Sequence, residues 1–126
     1  MNIYVAGSSL DQEPVKEVMN ILRTFGHNVT FNWTKRVIPD NPTAADLEEF
    51  TELDIVAVQM SDVLVLICVN DVLYRGSYVE MGVALCSSHP VYLIGHACDS
   101  CVFTGHRLIK RFDTIEDFVG FLKSMQ

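Results

Sequence analysis

Short apolar runs alternate along the chain with segments whose apolar residues recur at every third or fourth position. The first pattern fits strands and the second helices. Ile3 to Ala6 reads as a first strand, ended by the turn-forming Gly7-Ser8-Ser9. Pro14 stands where a helix can begin, and Val15, Val18, Met19 and Leu22 keep helical spacing until Gly26 closes the segment. His27 to Phe31 predicts a second strand, and residues 33–43, with Pro39 and Pro42, a loop. Thr43 or Asp46 can cap the next helix, whose apolar set includes Leu47, Phe50, Ile55, Val58 and Met60. Asp62 to Val69 is an almost unbroken apolar run, the pattern of a strand covered on both faces and hence of the sheet centre. Gly76 to Ser88 predicts the third helix, Val91 to Ile94 the fourth strand and Leu108 to Phe112 the fifth. Ile115 to Met125, with Phe118, Phe121 and Leu122 on one face, closes the chain as a helix.

Strand and helix alternating in this way, with no internal repeat, low-complexity tract or linker, predict one α/β domain over residues 1–126. Its expected form is a flavodoxin-like, doubly wound, five-stranded parallel sheet with helices on both faces. In such sheets the ligand cleft lies beyond the carboxyl ends of the strands, where the strand order reverses. The segments Gly7 to Leu10, Asn70 to Gly76, and Gly95 onward converge there. After the second comes Gly76-Ser77-Tyr78-Val79-Glu80-Met81-Gly82, a helix start with one carboxylate in oily surroundings. Burying an unpaired carboxylate is costly, so Glu80 is expected to face the cleft and take part in its chemistry.

Two carboxylates in different environments can divide the roles of nucleophile and proton donor. Near a helix N-terminus, Glu80 would be held as an anion by the helix dipole. Asp54, amid Leu53, Ile55 and Val56, is the candidate acid, since desolvation would make it keep its proton longer. Tyr4, in the first strand, is expected to orient Glu80 or a sugar oxygen.

Composition narrows the partners. With 126 residues, 49% apolar and 20% charged, the chain can bury a substantial core. A net charge of -7, with no base between Asp40 and Asp54, argues against a nucleic acid polymer as partner. The sequence enters its first strand without a basic lead or cleavage site, and its apolar runs are too short to cross a bilayer. The expectation is a cytoplasmic protein without membrane association. Cys68 in a core strand and Cys86 in a helix do not suggest a disulfide framework, so Cys68, Cys86, Cys98 and Cys101 are all expected to be reduced. His96-x-Cys98-x2-Cys101-x4-His106 has zinc-ligand residue types but fits no finger spacing, and no metal is expected. Gly7 alone makes no dinucleotide fingerprint, and Ser8-Ser9 lacks a G-x-S-x-G elbow.

Tyr4-Val5-Ala6-Gly7-Ser8, Asp54 eight residues ahead of Asp62-Val63-Leu64-Val65, Gly76-Ser77-Tyr78-Val79-Glu80-Met81-Gly82-Val83-Ala84, and Pro90-Val91 form one further pattern. Together they resemble the nucleoside 2-deoxyribosyltransferase family, which includes the 2'-deoxynucleoside 5'-monophosphate N-glycosidases. The resemblance runs over nearly the whole chain, and Gly-x3-Glu-x-Gly-x-Ala after an Asp-led apolar strand is its most specific part. It implies cleavage of the bond between a nucleobase and 2-deoxyribose by double displacement. Glu80 matches the nucleophile that attacks the anomeric carbon, Asp54 the glycosidase branch's general acid, and Tyr4 the tyrosine near the nucleophile. Gly7, Ser8, Gly76 and Ser77 are expected to contact substrate, and Asp71 resembles the sugar-binding acid that transferases place after this strand. Where the monophosphate hydrolases hold phosphate with an Arg and a Ser, this chain has Leu10 and Tyr74, though Arg75 is close enough to substitute and the helix start itself suits an anion. The resemblance also implies a small-molecule deoxynucleoside or deoxynucleotide partner, no cofactor, and a homo-oligomer. The rival expectation is a non-catalytic nucleotide-binding or signalling module of the same fold.

Overall fold

The computed structural model describes residues 1–126. Its strands are β1 (Asn2–Ala6), β2 (Asn28–Val29), β3 (Val63–Ile67), β4 (Val91–Ile94) and β5 (Ile109–Phe112). The connections are α1 (Glu13–Thr24), α2 (Ala44–Gln59) and α3 (Arg75–Cys86), and α4 (Ile115–Ser124) follows β5. Every pairing is parallel and the order is β2-β1-β3-β4-β5, the flavodoxin-like arrangement. The order reverses between β1 and β3, which places the switch point at their carboxyl ends.

Alternation along the strands divides the core into two layers. Ile3 and Val5 of β1 and Val65 and Ile67 of β3 pack with Val15, Val18, Met19 and Leu22 of α1 and with Phe118 and Leu122 of α4. Tyr4 and Ala6, with Leu64 and Leu66, face Ala57 and Val58 of α2 and Met81 and Ala84 of α3. All five residues of β3 are buried, as its unbroken apolar run requires. Each fully buried large aliphatic side chain contributes about 1.5–3 kcal/mol of transfer free energy.

Local chemistry sets the helix ends. Gly26 takes φ +84°, and the bonds Gly26 N–H to Arg23 O (2.9 Å) and His27 N–H to Leu22 O (3.0 Å) close α1 in a Schellman turn. At α2 both cap candidates act together. Thr43 Oγ1 accepts from Asp46 N–H at 3.1 Å, and the Asp46 carboxylate accepts from Thr43 N–H at 2.9 Å.

Three expectations are corrected. The second strand is shorter than His27 to Phe31, because it is an edge with one neighbour and Phe31 turns to pack against the α2/α3 layer. Of the apolar set of α2, Val58 is buried but Leu47, in the first turn, and Met60, just past the helix end, are 50% and 68% exposed, because the ends of the helix extend beyond the core that its middle covers. The cysteines are not all reduced: Cys68, just past β3, is disulfide-bonded to Cys98 in the loop after β4. Strand register explains the pairing. Ile67 lies beside Ile94, Gly95 (φ +94°) lets the chain pass directly over the Cys68 carbonyl, and Ala97 N–H bonds that carbonyl at 3.0 Å. Cys86 and Cys101 are free. No helix is long and apolar enough to cross a membrane.

Candidate active site

The loops after β1 and β3 are tied to one another before any ligand is considered. At Gly7 an added Cβ would overlap a Val15 methyl, so only glycine lets the end of β1 approach α1 this closely. The nearly buried Ser8 donates its hydroxyl to the Leu73 carbonyl (2.6 Å) and accepts from Leu10 N–H (3.1 Å). Ser77, in the first turn of α3, donates to the Gly7 carbonyl at 2.8 Å. Between these loops and α2 lies a cleft of about 570 Å³, a volume suited to a small molecule. Gly7, Ser8, Gly76, Ser77, Asp54 and Glu80 all line it. The Ser8 and Ser77 hydroxyls are engaged with backbone carbonyls, so they shape the wall of the cleft.

Glu80 enters the cleft from the sheet-facing side of α3, between the buried Ser77 and Ala84 one turn to either side. Tyr4, fully buried on β1, donates its hydroxyl to Glu80 Oε2 from beneath. Tyr4 is not among the residues that line the cleft, so its hydroxyl meets Glu80 and not the cleft itself. Burial pushes the Glu80 carboxyl up to about 8, and the negative charge of Asp54 acts in the same direction. The Tyr4 hydrogen bond and the Arg36 charge oppose them and do not win. The dipole expected to favour the anion is overruled because its influence fades within the first helical turn, and Glu80 lies in the second. Burial, followed by the charges of Glu80 and Asp54, holds the Tyr4 phenol protonated well above its ordinary range.

Asp54 faces this pair from α2, and its carboxylate is not free. Arg36, in the connection before α2, engages both of its oxygens, Nη2 on Oδ1 and Nη1 on Oδ2 at 3.3 Å. The guanidinium also lies over the rings of Phe31 (5.4 Å to the centroid) and Phe50 (5.0 Å). The electrostatic division expected between the carboxylates is therefore reversed: Glu80 holds a proton at neutral pH, and Asp54 is half of an ion pair. Sequence reasoning missed Arg36. The available signal was a basic pair, Lys35-Arg36, ahead of an acidic stretch that contains no base of its own.

Other expected residues are placed less centrally. Asp71 is exposed and does not line the cleft. Its loop is folded by Asn70, whose amide donates to Asp11 at 2.7 Å and whose carbonyl accepts from the Tyr74 hydroxyl, so that Leu73, Tyr74 and Arg75 are the residues turned to the cleft. Leu10 lines the entrance and is 68% exposed. Trp33 forms part of the wall, its indole N–H bonded to the Val5 carbonyl at 2.8 Å, an acceptor that the short β2 leaves uncovered. No group of three or more His, Cys, Asp or Glu side chains is arranged to hold a metal ion. Cys98 is committed to its disulfide, and His96 bonds Asp99 (3.0 Å) and Asp113 (2.7 Å) at the surface.

No protein-family model and no curated protein sequence matches the chain. Solved structures share its fold from end to end. A 2-deoxyribosyltransferase from the psychrotolerant bacterium Bacillus psychrosaccharolyticus superposes with a TM-score of 0.75 at 19% identity, covering 97% of this chain and 96% of that one. A CMP N-glycosidase from Clostridium botulinum gives 0.67 at 13% identity with both chains fully covered. A conserved protein from Enterococcus faecalis V583 gives 0.67 at 16% identity, over 100% of this chain and 99% of that one.

Proposed function

We propose that this protein cleaves or exchanges the N-glycosidic bond of 2'-deoxynucleosides or their 5'-monophosphates through a covalent deoxyribosyl-Glu80 intermediate. The observation that carries the reading is the placement of Glu80, a carboxyl at the cleft face of α3 that is gripped from below by the buried Tyr4 hydroxyl. A fold shared with a 2-deoxyribosyltransferase and a CMP N-glycosidase supports it.

In the first step a Glu80 oxygen attacks C1', the bond from C1' to the base nitrogen breaks, and its electron pair leaves with the base. In the second, water or another base attacks C1', Glu80 departs as a carboxylate, and the proton of the attacking group passes to solvent. Glu80 must lose its proton before the attack, and Tyr4 then donates a hydrogen bond that steadies the anion. Asp54 and Arg36 face the departing base from α2 and the connection before it. No step calls for a cofactor. A homo-oligomer is part of the proposal, since Leu47 and Leu53 of α2 and Met60 just after it leave large apolar side chains exposed.

The test is to incubate the protein with deoxynucleosides and their monophosphates, with and without an acceptor base, and to follow free and exchanged base by chromatography. Release alone identifies a hydrolase and exchange a transferase, and Glu80→Ala should abolish both. Release unaffected by Glu80→Ala, or binding without any turnover, overturns the assignment, the latter in favour of a non-catalytic nucleotide-binding module.

A further inference from the structure

The two-point grip of Arg36 on Asp54 bears on how the base leaves. Both Asp54 oxygens accept from the guanidinium, so the group that faces the cleft from α2 is a carboxylate–guanidinium pair and not a lone carboxyl. Arg36 is itself part of the cleft wall with Glu80 and Asp54. Its side chain is only 15% exposed and is set between the faces of Phe31 and Phe50, so its position is defined before substrate arrives. Of the five N–H donors of a guanidinium, Asp54 engages two, and Nε is buried without a partner. Its charge also reaches Glu80 and Tyr4, so the two carboxylates, the phenol and the guanidinium form one electrostatic cluster.

We infer that Arg36 is a catalytic residue of the proposed reaction, stabilising the departing base by charge and hydrogen bonding in place of a proton from Asp54, and that the site favours 2-oxopyrimidine bases. The inference rests on the glycosidic function proposed above. When the bond from C1' to N1 of a 2-oxopyrimidine breaks, its electron pair is delocalised from N1 onto the adjacent O2, and a fixed cation facing that oxygen stabilises the negative charge as it develops. The base leaves as an anion and takes its proton afterwards from water, so the step balances without an acid. Asp54 then acts as a positioning residue that holds the guanidinium at the cleft. A purine lacks this oxygen beside its glycosidic nitrogen and gains less from the same cation.

Single-turnover release from 2'-deoxyuridine, thymidine and 5-fluoro-2'-deoxyuridine distinguishes the two ways of leaving. Without proton donation, the rate rises with the acidity of the free base, with 5-fluorouracil leaving fastest and thymine slowest. Proton donation by Asp54 would flatten this order. Arg36→Met should lower pyrimidine release roughly 100–1,000-fold, as expected for loss of a preorganised donor. It should also steepen the leaving-group order and reduce the preference for pyrimidine over purine deoxynucleosides. Arg36→Lys, which keeps the charge without the fork, should recover part of the rate. Base release from the unaltered protein that ignores leaving-group acidity overturns the inference and leaves the glycosidic function standing, even if Arg36→Met fails to fold. Absence of release from every substrate overturns both.

Discussion

Replacing Glu80 by glutamine should make the protein more stable at neutral and alkaline pH while removing its activity. The unfolded chain releases the Glu80 proton above about its ordinary 4.5, whereas the folded protein keeps it up to about 8, chiefly because burial disfavours the charge. Between those values the folded state binds a proton that the unfolded state has lost, so stability falls as pH rises, by about 1.4 kcal/mol per pH unit. The loss is about 3 kcal/mol by pH 7 and about 5 kcal/mol above pH 8, and below pH 4 there is none. Glutamine has nearly the same shape, can still accept from Tyr4 and does not titrate, so the variant escapes the whole term. Urea unfolding of both proteins at pH 4, 7 and 9 provides the assay, with the slope unchanged and the midpoint difference widening as pH rises. A midpoint difference that is constant across this range would refute the reasoning, because Glu80 would then sit in water-like surroundings.

The same carboxyl should control the kinetics. If Glu80 must be an anion to attack, kcat/KM for base release rises about tenfold per pH unit up to about 8 and then levels, and a profile already flat from pH 6 would contradict its raised value. Tyr4→Phe removes the only hydroxyl beneath that carboxylate. It should lower stability by about 1 kcal/mol and displace the kinetic midpoint to higher pH, so a midpoint unmoved by calorimetrically intact Tyr4→Phe would speak against the contact. The Cys68–Cys98 bond closes a span of 30 residues, and its removal by Cys98→Ala should lower stability by about 3–4 kcal/mol in a chain-entropy account. Thiol titration of the unreduced protein should find the two free cysteines, Cys86 and Cys101, and a count of four would remove the premise.

What could be read before the fold was known is what local pattern encodes. The five-residue apolar run of β3, the helical spacing in α1 and the isolated carboxyl of Glu80 each declare themselves within about a turn or a strand. Features joined only through tertiary structure left no such mark. Arg36 and Asp54 meet across the loop before α2, and no short-range period announces an ion pair between a loop and a helix. Cys68 and Cys98 are adjacent because β3 and β4 are in register and Gly95 permits a close backbone approach. Asp71, which resembles a sugar-binding acid, lies outside the residues lining the cleft, where the Asn70 contacts turn Leu73 and Tyr74 inward. The expected charge on Glu80 reversed because helix-dipole reasoning considers one element, while desolvation is imposed by several.

That reversal also bears on mechanism. With Asp54 paired to Arg36 and both Glu80 and Tyr4 protonated, the cluster carries no net charge at neutral pH, the arrangement that a desolvated site tolerates best. In the proposed reaction, the bond breaking at C1' places positive charge on the sugar just where the Glu80 anion is otherwise disfavoured. The carboxylate and the developing cation then relieve one another's desolvation, an interaction that is strongest as the bond breaks. If that reaction is the protein's own, burial that makes Glu80 a poor anion at rest makes it a better partner for the transition state, which is the difference that accelerates a reaction. Under the proposed chemistry, the stability gained by Glu80→Gln and the activity it loses have the same origin, a carboxyl kept in surroundings suited to the transition state more than to the resting protein.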